Sequence, residues 1–107
     1  MRTITATELA NWLAEAGDHA PVVLDVREPW EVALASLPGS VCIPMGRLVA
    51  ELDRLDPDQT TVCLCHHGAR SMQVAVFLER QGFSDVINLT GGIHAWSETV
   101  DPAVKTY

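Results

Sequence analysis

Residues 61–71 read TVCLCHHGARS, and this stretch decides the fold of the chain. The run 61–65 predicts a β-strand. A helical pattern follows from residue 71 to residue 81, with three apolar residues on one face (Val74, Ala75, Leu78). A strand that leads through a short loop into a helix is typical of a parallel sheet. The loop then lies beyond the carboxyl end of the strand, where open α/β sheets bind their ligands.

The same alternation of strand and helix extends in both directions along the chain. Apolar runs predict further strands at residues 22–26, 41–43 and 86–89, and a short strand is expected at residues 2–4. Helices are predicted from a Thr5–Glu8 capping box to Gly17 and at residues 30–34, 47–55 and 93–96. We therefore predict an α/β domain with a mainly parallel sheet and helices on both faces.

The composition fits one small globular domain. The chain has 107 residues, of which 48% are hydrophobic and 20% charged. This balance excludes a disordered chain and a coiled coil. We expect a single domain over residues 1–107, with its core at about residues 3–98 and a short tail at 99–107.

The charge and the cysteine usage narrow the functional classes. The formal net charge is −7 and the basic residues are scattered, so we expect neither nucleic acid nor a membrane surface as a partner. No apolar run approaches the length of a membrane span, and the first residues lack the layout of a signal peptide. The 3 cysteines are an odd number without a Cys-x-x-Cys pair. This usage fits a reducing compartment, and we expect a cytoplasmic protein.

The loop after residue 65 is suited to hold an anion. Cys65 ends the predicted strand, and the residues that lead into the helix are His66, His67, Gly68, Ala69, Arg70 and Ser71. Successive backbone N–H groups and a helix N-terminus both stabilise negative charge, and therefore a thiolate. Gly68 permits the tight turn, and Arg70 adds a fixed positive charge that could hold a second anion. We therefore predict that Cys65 is a reactive nucleophile.

This loop resembles the Cys-x-x-Gly-x-Arg-Ser active-site loop of rhodanese-like sulfurtransferases. The resemblance covers nearly the whole chain in the family's order. Residues 24–31 (LDVREPWE) are similar to the first family motif, residues 37–44 (LPGSVCIP) to the second, and residues 82–96 to the closing motif, which ends in Gly-Gly-x-x-Ala-Trp. One departure is Ala35-Ser36, which stands where the family usually has Gly-His. We expect this change to affect local packing more than catalysis.

The resemblance implies a single rhodanese-like domain with a five-stranded, mostly parallel sheet. It implies that Cys65 takes a sulfane sulfur from thiosulfate or a persulfide donor and becomes a persulfide. The acceptor would be cyanide, a small thiol or a protein thiol. The loop residues would surround the sulfur mostly through backbone donors, while Arg70 positions an anionic donor. The resemblance implies no cofactor beyond the covalent persulfide, and we predict no metal.

Several residues also have plainer interpretations. Asp25 and Arg27 follow a strand end, and we expect a structural ion pair or a loop-holding hydrogen bond rather than a catalytic base. His66 and His67 are expected to act through their backbone rather than as a dyad with the cysteine. A zinc site from Cys63, Cys65, His66 and His67 is disfavoured, because structural zinc sites use two separated pairs of ligands.

The remaining cysteines and tryptophans are interpreted as structural. We expect Cys42 and Cys63 to pack in the core, as cysteine often does. Trp12 and Trp96 are expected to pack in the core as well. Trp30, near the end of the first long strand, is expected at the mouth of the site.

Two other functions remain open from the sequence. A phosphatase or arsenate reductase resembles this arrangement, but such loops place five residues between cysteine and arginine, whereas four lie between Cys65 and Arg70. The shorter loop fits a single sulfur atom better than a tetrahedral oxyanion. A sulfur-relay or binding module without turnover is the second alternative.

Overall fold

The computed structural model describes residues 1–107, with five strands and four α-helices in alternating order. The strands are β1 (Arg2–Ile4), β2 (Val22–Asp25), β3 (Val41–Cys42), β4 (Thr61–Leu64) and β5 (Val86–Leu89). The α-helices are α1 (Ala6–Ala16), α2 (Pro29–Leu34), α3 (Ala69–Arg80) and α4 (Gly92–Thr99). Short 3₁₀ turns occupy Gly17–His19, Met45–Arg47 and Leu52–Arg54.

All five strands join one parallel sheet in the order β1-β5-β4-β2-β3. Strand β4 lies at the centre, where Cys63 pairs with Leu24 of β2 on one side and with Asn88 of β5 on the other. Because the strands are parallel, the carboxyl ends of β2, β4 and β5 meet at one edge of the sheet. This arrangement confirms the α/β fold predicted from the sequence.

The sheet separates two apolar layers, as expected for strands that are buried on both faces. On one face, side chains such as Leu24 and Cys63 pack against α3 and the segment 45–55. On the other face, residues such as Val62 and Leu64 pack against α1 and α4. Trp12 and Trp96 are partly buried in this second layer, and the prediction of helices on both faces is confirmed.

The helix boundaries follow local signals that the sequence carries. Thr5 and Glu8 form the predicted reciprocal capping box at the start of α1. Beyond the end of α3, Gly82 has a φ of 92°. The N–H of Phe83 there bonds to the carbonyl of Leu78, and Phe83 is 93% buried in the first layer (7% exposed). This is the left-handed cap with its hydrophobic contact that the sequence predicts.

The segment 47–55 differs from the prediction, because it contains 3₁₀ turns rather than one α-helix. Leu48 and Leu55 are nevertheless buried, so the apolar pattern correctly identified the core residues but not the backbone. Packing of these leucines under the sheet decides the conformation here, and helix propensity is too weak to oppose it.

No helix in the structure has the length and apolar character needed to cross a membrane.

Cys42 also differs from the prediction, since it is exposed rather than part of the core. It lies on β3, which pairs with β2 alone and forms an edge of the sheet. An edge strand has a neighbouring strand on one side only, so an apolar residue in a short apolar run is not necessarily buried there.

Candidate active site

The thiol of Cys65 lies beneath the first turn of the loop that follows β4. The residue is 1% exposed, and its Sγ accepts a hydrogen bond of 3.0 Å from the backbone N–H of Gly68. Gly68 has a φ of 113° and is the N-cap of α3, so the loop between strand and helix is only four residues long, residues 65–68. The left-handed backbone that glycine tolerates turns this N–H towards the sulfur.

A polar pair behind the loop fixes this geometry. The Ser71 hydroxyl lies 3.3 Å from Cys65 Sγ and donates to Asn88 Oδ1 at 2.5 Å. The Asn88 amide donates to the Gly68 carbonyl at 3.3 Å. A hydroxyl has one hydrogen and two lone pairs, so Ser71 can accept from the thiol or turn its hydrogen towards a thiolate. Donation to a thiolate requires this hydrogen to leave Asn88 Oδ1.

The N-terminus of α4 holds the loop from the other side. The N–H groups of Ile93 and His94 donate to the carbonyls of Cys65 and His66 at 2.9 and 3.1 Å. A side chain on Gly92 would collide with both of these carbonyl oxygens. Glycine is therefore required here, because the backbones of the helix and the loop touch.

Arg70 points to a carboxylate rather than to the thiol. Its two terminal nitrogens donate to both oxygens of Glu31 at 2.6 and 2.7 Å. Glu31 lies on α2 and is buried, whereas the Arg70 side chain is 35% exposed. The hydrogen bonds from Arg70 are the largest cause that lowers the pKa of Glu31, to about 2. The same pair raises the pKa of Arg70.

A second buried ion pair, Asp25–Arg27, is linked to Glu31 through a hydrogen bond to Tyr107. Arg27 donates to both oxygens of Asp25 at 2.9 and 2.7 Å, and both side chains are fully buried. Arg27 also donates to the hydroxyl of Tyr107 at 2.9 Å, and that hydroxyl donates to Glu31 at 2.8 Å. The chain Asp25–Arg27–Tyr107–Glu31–Arg70 thus links the end of β2 to the loop. Asp25 and Arg27 therefore form a buried structural ion pair, as the sequence predicts.

The histidines of the loop make no hydrogen bond to the thiol. The His66 ring stacks on Tyr107 at 3.8 Å and an angle of 6°, and it lies 4.0 Å from the His67 ring. Burial is the largest cause that lowers the pKa of His66. The exposed Trp30 meets Tyr107 edge-on at 6.1 Å, close to the site mouth where the sequence placed it.

Burial distinguishes the roles of Cys63 and of the Ala35-Ser36 pair. Cys63 is fully buried, and burial raises the pKa of its thiol to about 12, so it is an inert core residue in this fold. Ser36, at the position of the usual family histidine, is exposed, while Ala35 is buried and its carbonyl accepts from Arg27 at 2.6 Å. Ala35 therefore takes part in the packing at this turn, whereas Ser36 does not.

Four site residues were missed by sequence reasoning. Glu31 and His94 lie within quoted motifs but carried no signal of their own, and Asn88 was a polar residue in an otherwise apolar strand. That pattern could have identified Asn88, because a polar side chain in a buried strand needs a partner. Tyr107 had no signal, since nothing in residues 98–107 indicates that the chain returns to the loop.

Comparisons with known proteins agree with this geometry. The model of the rhodanese-like domain family matches residues 5–99. The chain is 34% identical over 101 residues to a protein of Allochromatium vinosum named "Sulfurtransferase", covering 94% of this chain and 92% of that protein. It is 47% identical over 89 residues to rhodanese-like/PpiC domain-containing protein 12 of Arabidopsis thaliana, covering 79% of this chain but only 30% of that relative.

A solved structure shows the same fold. The rhodanese-like domain protein of Staphylococcus aureus superposes with a TM-score of 0.84 at 33% identity, and the match covers 100% of this chain and 99% of that one. Both the sequence match and the structural match include the cysteine loop, and the structural match also reaches Tyr107. This chain is therefore a member of the rhodanese-like domain family.

Proposed function

We propose that this domain is a sulfurtransferase that carries a sulfane sulfur on Cys65. One observation carries the proposal: Cys65 Sγ, at the carboxyl end of the central strand, lies 3.0 Å from the Gly68 N–H and 3.3 Å from the Ser71 hydroxyl. Both groups can donate to a negative sulfur. The name of the Allochromatium relative supports the same activity.

The reaction divides into two displacements at sulfur. The Cys65 thiolate attacks the outer sulfur of thiosulfate, an S–S bond forms at the cysteine, and the S–S bond of thiosulfate breaks to release sulfite. Cyanide or a thiolate then attacks the outer sulfur of the persulfide, which releases thiocyanate or a new persulfide and restores the Cys65 thiolate. Such a covalent intermediate predicts ping-pong kinetics.

The position of the persulfide provides the first test. After incubation with thiosulfate, intact-mass and peptide mass spectrometry should show one added sulfur atom, located on Cys65. Cys42 is the matched control, because it is exposed whereas Cys65 is 99% buried (1% exposed). Reactivity governed by exposure alone would place the sulfur on Cys42, and that result would contradict the proposal.

Turnover provides the second test. Cys65→Ser should abolish sulfur transfer to cyanide, while Cys42→Ser should retain it. A wild-type protein that forms the persulfide but transfers it to no small acceptor would be a relay module instead. Efficient hydrolysis of an aryl phosphate without sulfur transfer would indicate a phosphatase.

Arg70 determines the choice of donor in this proposal. The net charge of −7 repels thiosulfate at long range, so capture depends on a local positive charge. The pair with Glu31 uses two of the five N–H donors of Arg70 and leaves three that can bind an anion. Arg70→Ala should therefore impair thiosulfate use more than the use of an uncharged persulfide donor. Equal losses with both donors would assign Arg70 to loop support alone.

A further inference from the structure

Three imidazoles meet above the active-site loop. His66 and His67 come from the loop and His94 from the first turn of α4, and one nitrogen from each lies within 4.8 Å of the other two. Their ring centroids are separated by 4.0, 5.0 and 6.3 Å. Helix α4 supplies the separated third ligand that residues 63–67 lack.

Two nitrogens in this cluster are buried without a hydrogen-bond partner. They are Nε2 of His66 and Nδ1 of His94. Buried polar atoms in native proteins nearly always have a partner, and a bound water or ion is one explanation for an exception. A stacked, purely structural role would explain the contact of His66 with Tyr107 but not the two unpartnered nitrogens.

Glu98 orients one of these nitrogens. Its carboxylate lies 2.8 Å from Nε2 of His94, one helical turn away. A carboxylate at this position binds the Nε2 proton and leaves the lone pair on Nδ1, which is the nitrogen that lacks a partner. Metal-bound histidines commonly have such a carboxylate behind them, where it fixes the tautomer and the ring orientation.

We propose that His66, His67 and His94 form a binding site for a divalent transition metal ion that favours imidazole ligands, with zinc as the reference ion. Three histidines with an open fourth position are an established arrangement for zinc. Copper and nickel also suit imidazole ligands, whereas magnesium and calcium prefer oxygen. The site is independent of the sulfur chemistry proposed for Cys65.

The geometry needs only a small adjustment to hold the ion. With Zn–N distances of about 2.05 Å, tetrahedral ligand nitrogens lie about 3.4 Å apart, so the widest nitrogen pair must close by at most about 1.4 Å. His67 is exposed, while stacking holds His66 and Glu98 holds His94. The net charge of −7 favours a cation at this surface. A bound ion would fasten the loop to α4.

The binding of Zn²⁺ is measured by calorimetry on the full chain with Cys42→Ser, which removes the exposed thiol. We expect one equivalent to bind. His94→Gln should weaken binding more than about 100-fold, and Glu98→Gln by about 10–100-fold. His19→Gln is the matched control, because His19 is the fourth histidine and lies outside the cluster; its affinity should equal that of the parent protein.

Two spectroscopic measurements identify the ligands. Histidine side-chain ¹⁵N resonances should shift on Zn²⁺ addition for the three cluster histidines and not for His19. The Co²⁺ complex should show visible bands of a tetrahedral ion without sulfur-to-cobalt charge transfer. Absence of stoichiometric binding, unchanged affinity in His94→Gln, or a sulfur charge-transfer band that disappears in Cys65→Ser would each overturn the three-histidine site.

Discussion

Replacing Glu31 by glutamine removes the charge that holds Arg70 while keeping the shape of the side chain. The Glu31 carboxylate accepts four hydrogen bonds, two from Arg70, one from the Tyr107 hydroxyl and one from the backbone N–H of Glu28. An amide accepts only on its oxygen, so in Glu31→Gln the amide NH₂ group faces a hydrogen-bond donor of Arg70 or of a neighbouring group. We expect the variant to be less stable than the wild type at neutral pH.

The pH-dependent part of this loss follows from the pKa of Glu31. A lowering from 4.5 to about 2 corresponds to about 3 kcal/mol in the free energy of unfolding, at about 1.4 kcal/mol per pH unit. The Arg70 side chain is 35% exposed, so solvent screens the pair. We therefore reduce the expected contribution to about 1–2 kcal/mol.

The sign follows from the direction of the shift. A carboxyl whose pKa is lower in the folded state stabilises the protein above its unfolded pKa, and this stabilisation is lost as the pH falls from about 5 towards 2. The wild type loses the stabilisation by the ionised Glu31 carboxylate as the pH falls, whereas the glutamine variant lacks this carboxylate at every pH. The difference in unfolding free energy between the two proteins should therefore fall by about 1 kcal/mol between about pH 6 and about pH 3.

Urea unfolding followed by tryptophan fluorescence measures this difference, since the chain contains three tryptophans. Glu15→Gln is the matched control, because Glu15 is exposed and the change alters the net charge without touching Arg70. A difference between wild type and Glu31→Gln that stays constant over this pH range would refute the reasoning. So would an equal pH dependence in the Glu15→Gln control.

Three further perturbations test other parts of the site. Asp25→Asn leaves a fully buried guanidinium without its counter-charge and should cost about 3–5 kcal/mol of stability, measured by urea unfolding. Gly92→Ala should displace the cysteine loop and reduce sulfur transfer, whereas Gly39→Ala, which has a similar positive φ but open space around it, should affect stability alone. Ser71→Ala should lower the rate of sulfur transfer, because the hydrogen bond of Ser71 to Asn88 and its contact with Cys65 Sγ are lost; an unchanged rate would exclude that role.

The local signals in the sequence predicted most of the fold. The apolar runs identified four of the five strands, and the capping residues at Thr5 and Gly82 marked helix ends that the structure contains. These predictions succeed because they depend on neighbouring residues and on a periodicity that one chain segment contains. The predictions of a helix at residues 47–55 and of a buried Cys42 were wrong. Both depend on packing partners from other parts of the chain, which a local pattern does not show.

The sequence by itself determined the alternating architecture and the cysteine loop, since the strand, the glycine turn and the helix start are contiguous in residues 61–71. The tertiary structure alone decided what surrounds that loop. Glu31, Asn88 and Tyr107 reach it from three separate segments, and His94 joins His66 and His67 only because β4 and β5 are neighbours in the sheet. Charge neutralisation and ligand clustering act over a few ångströms of space, and sequence separation carries no information about such distances until the sheet has formed.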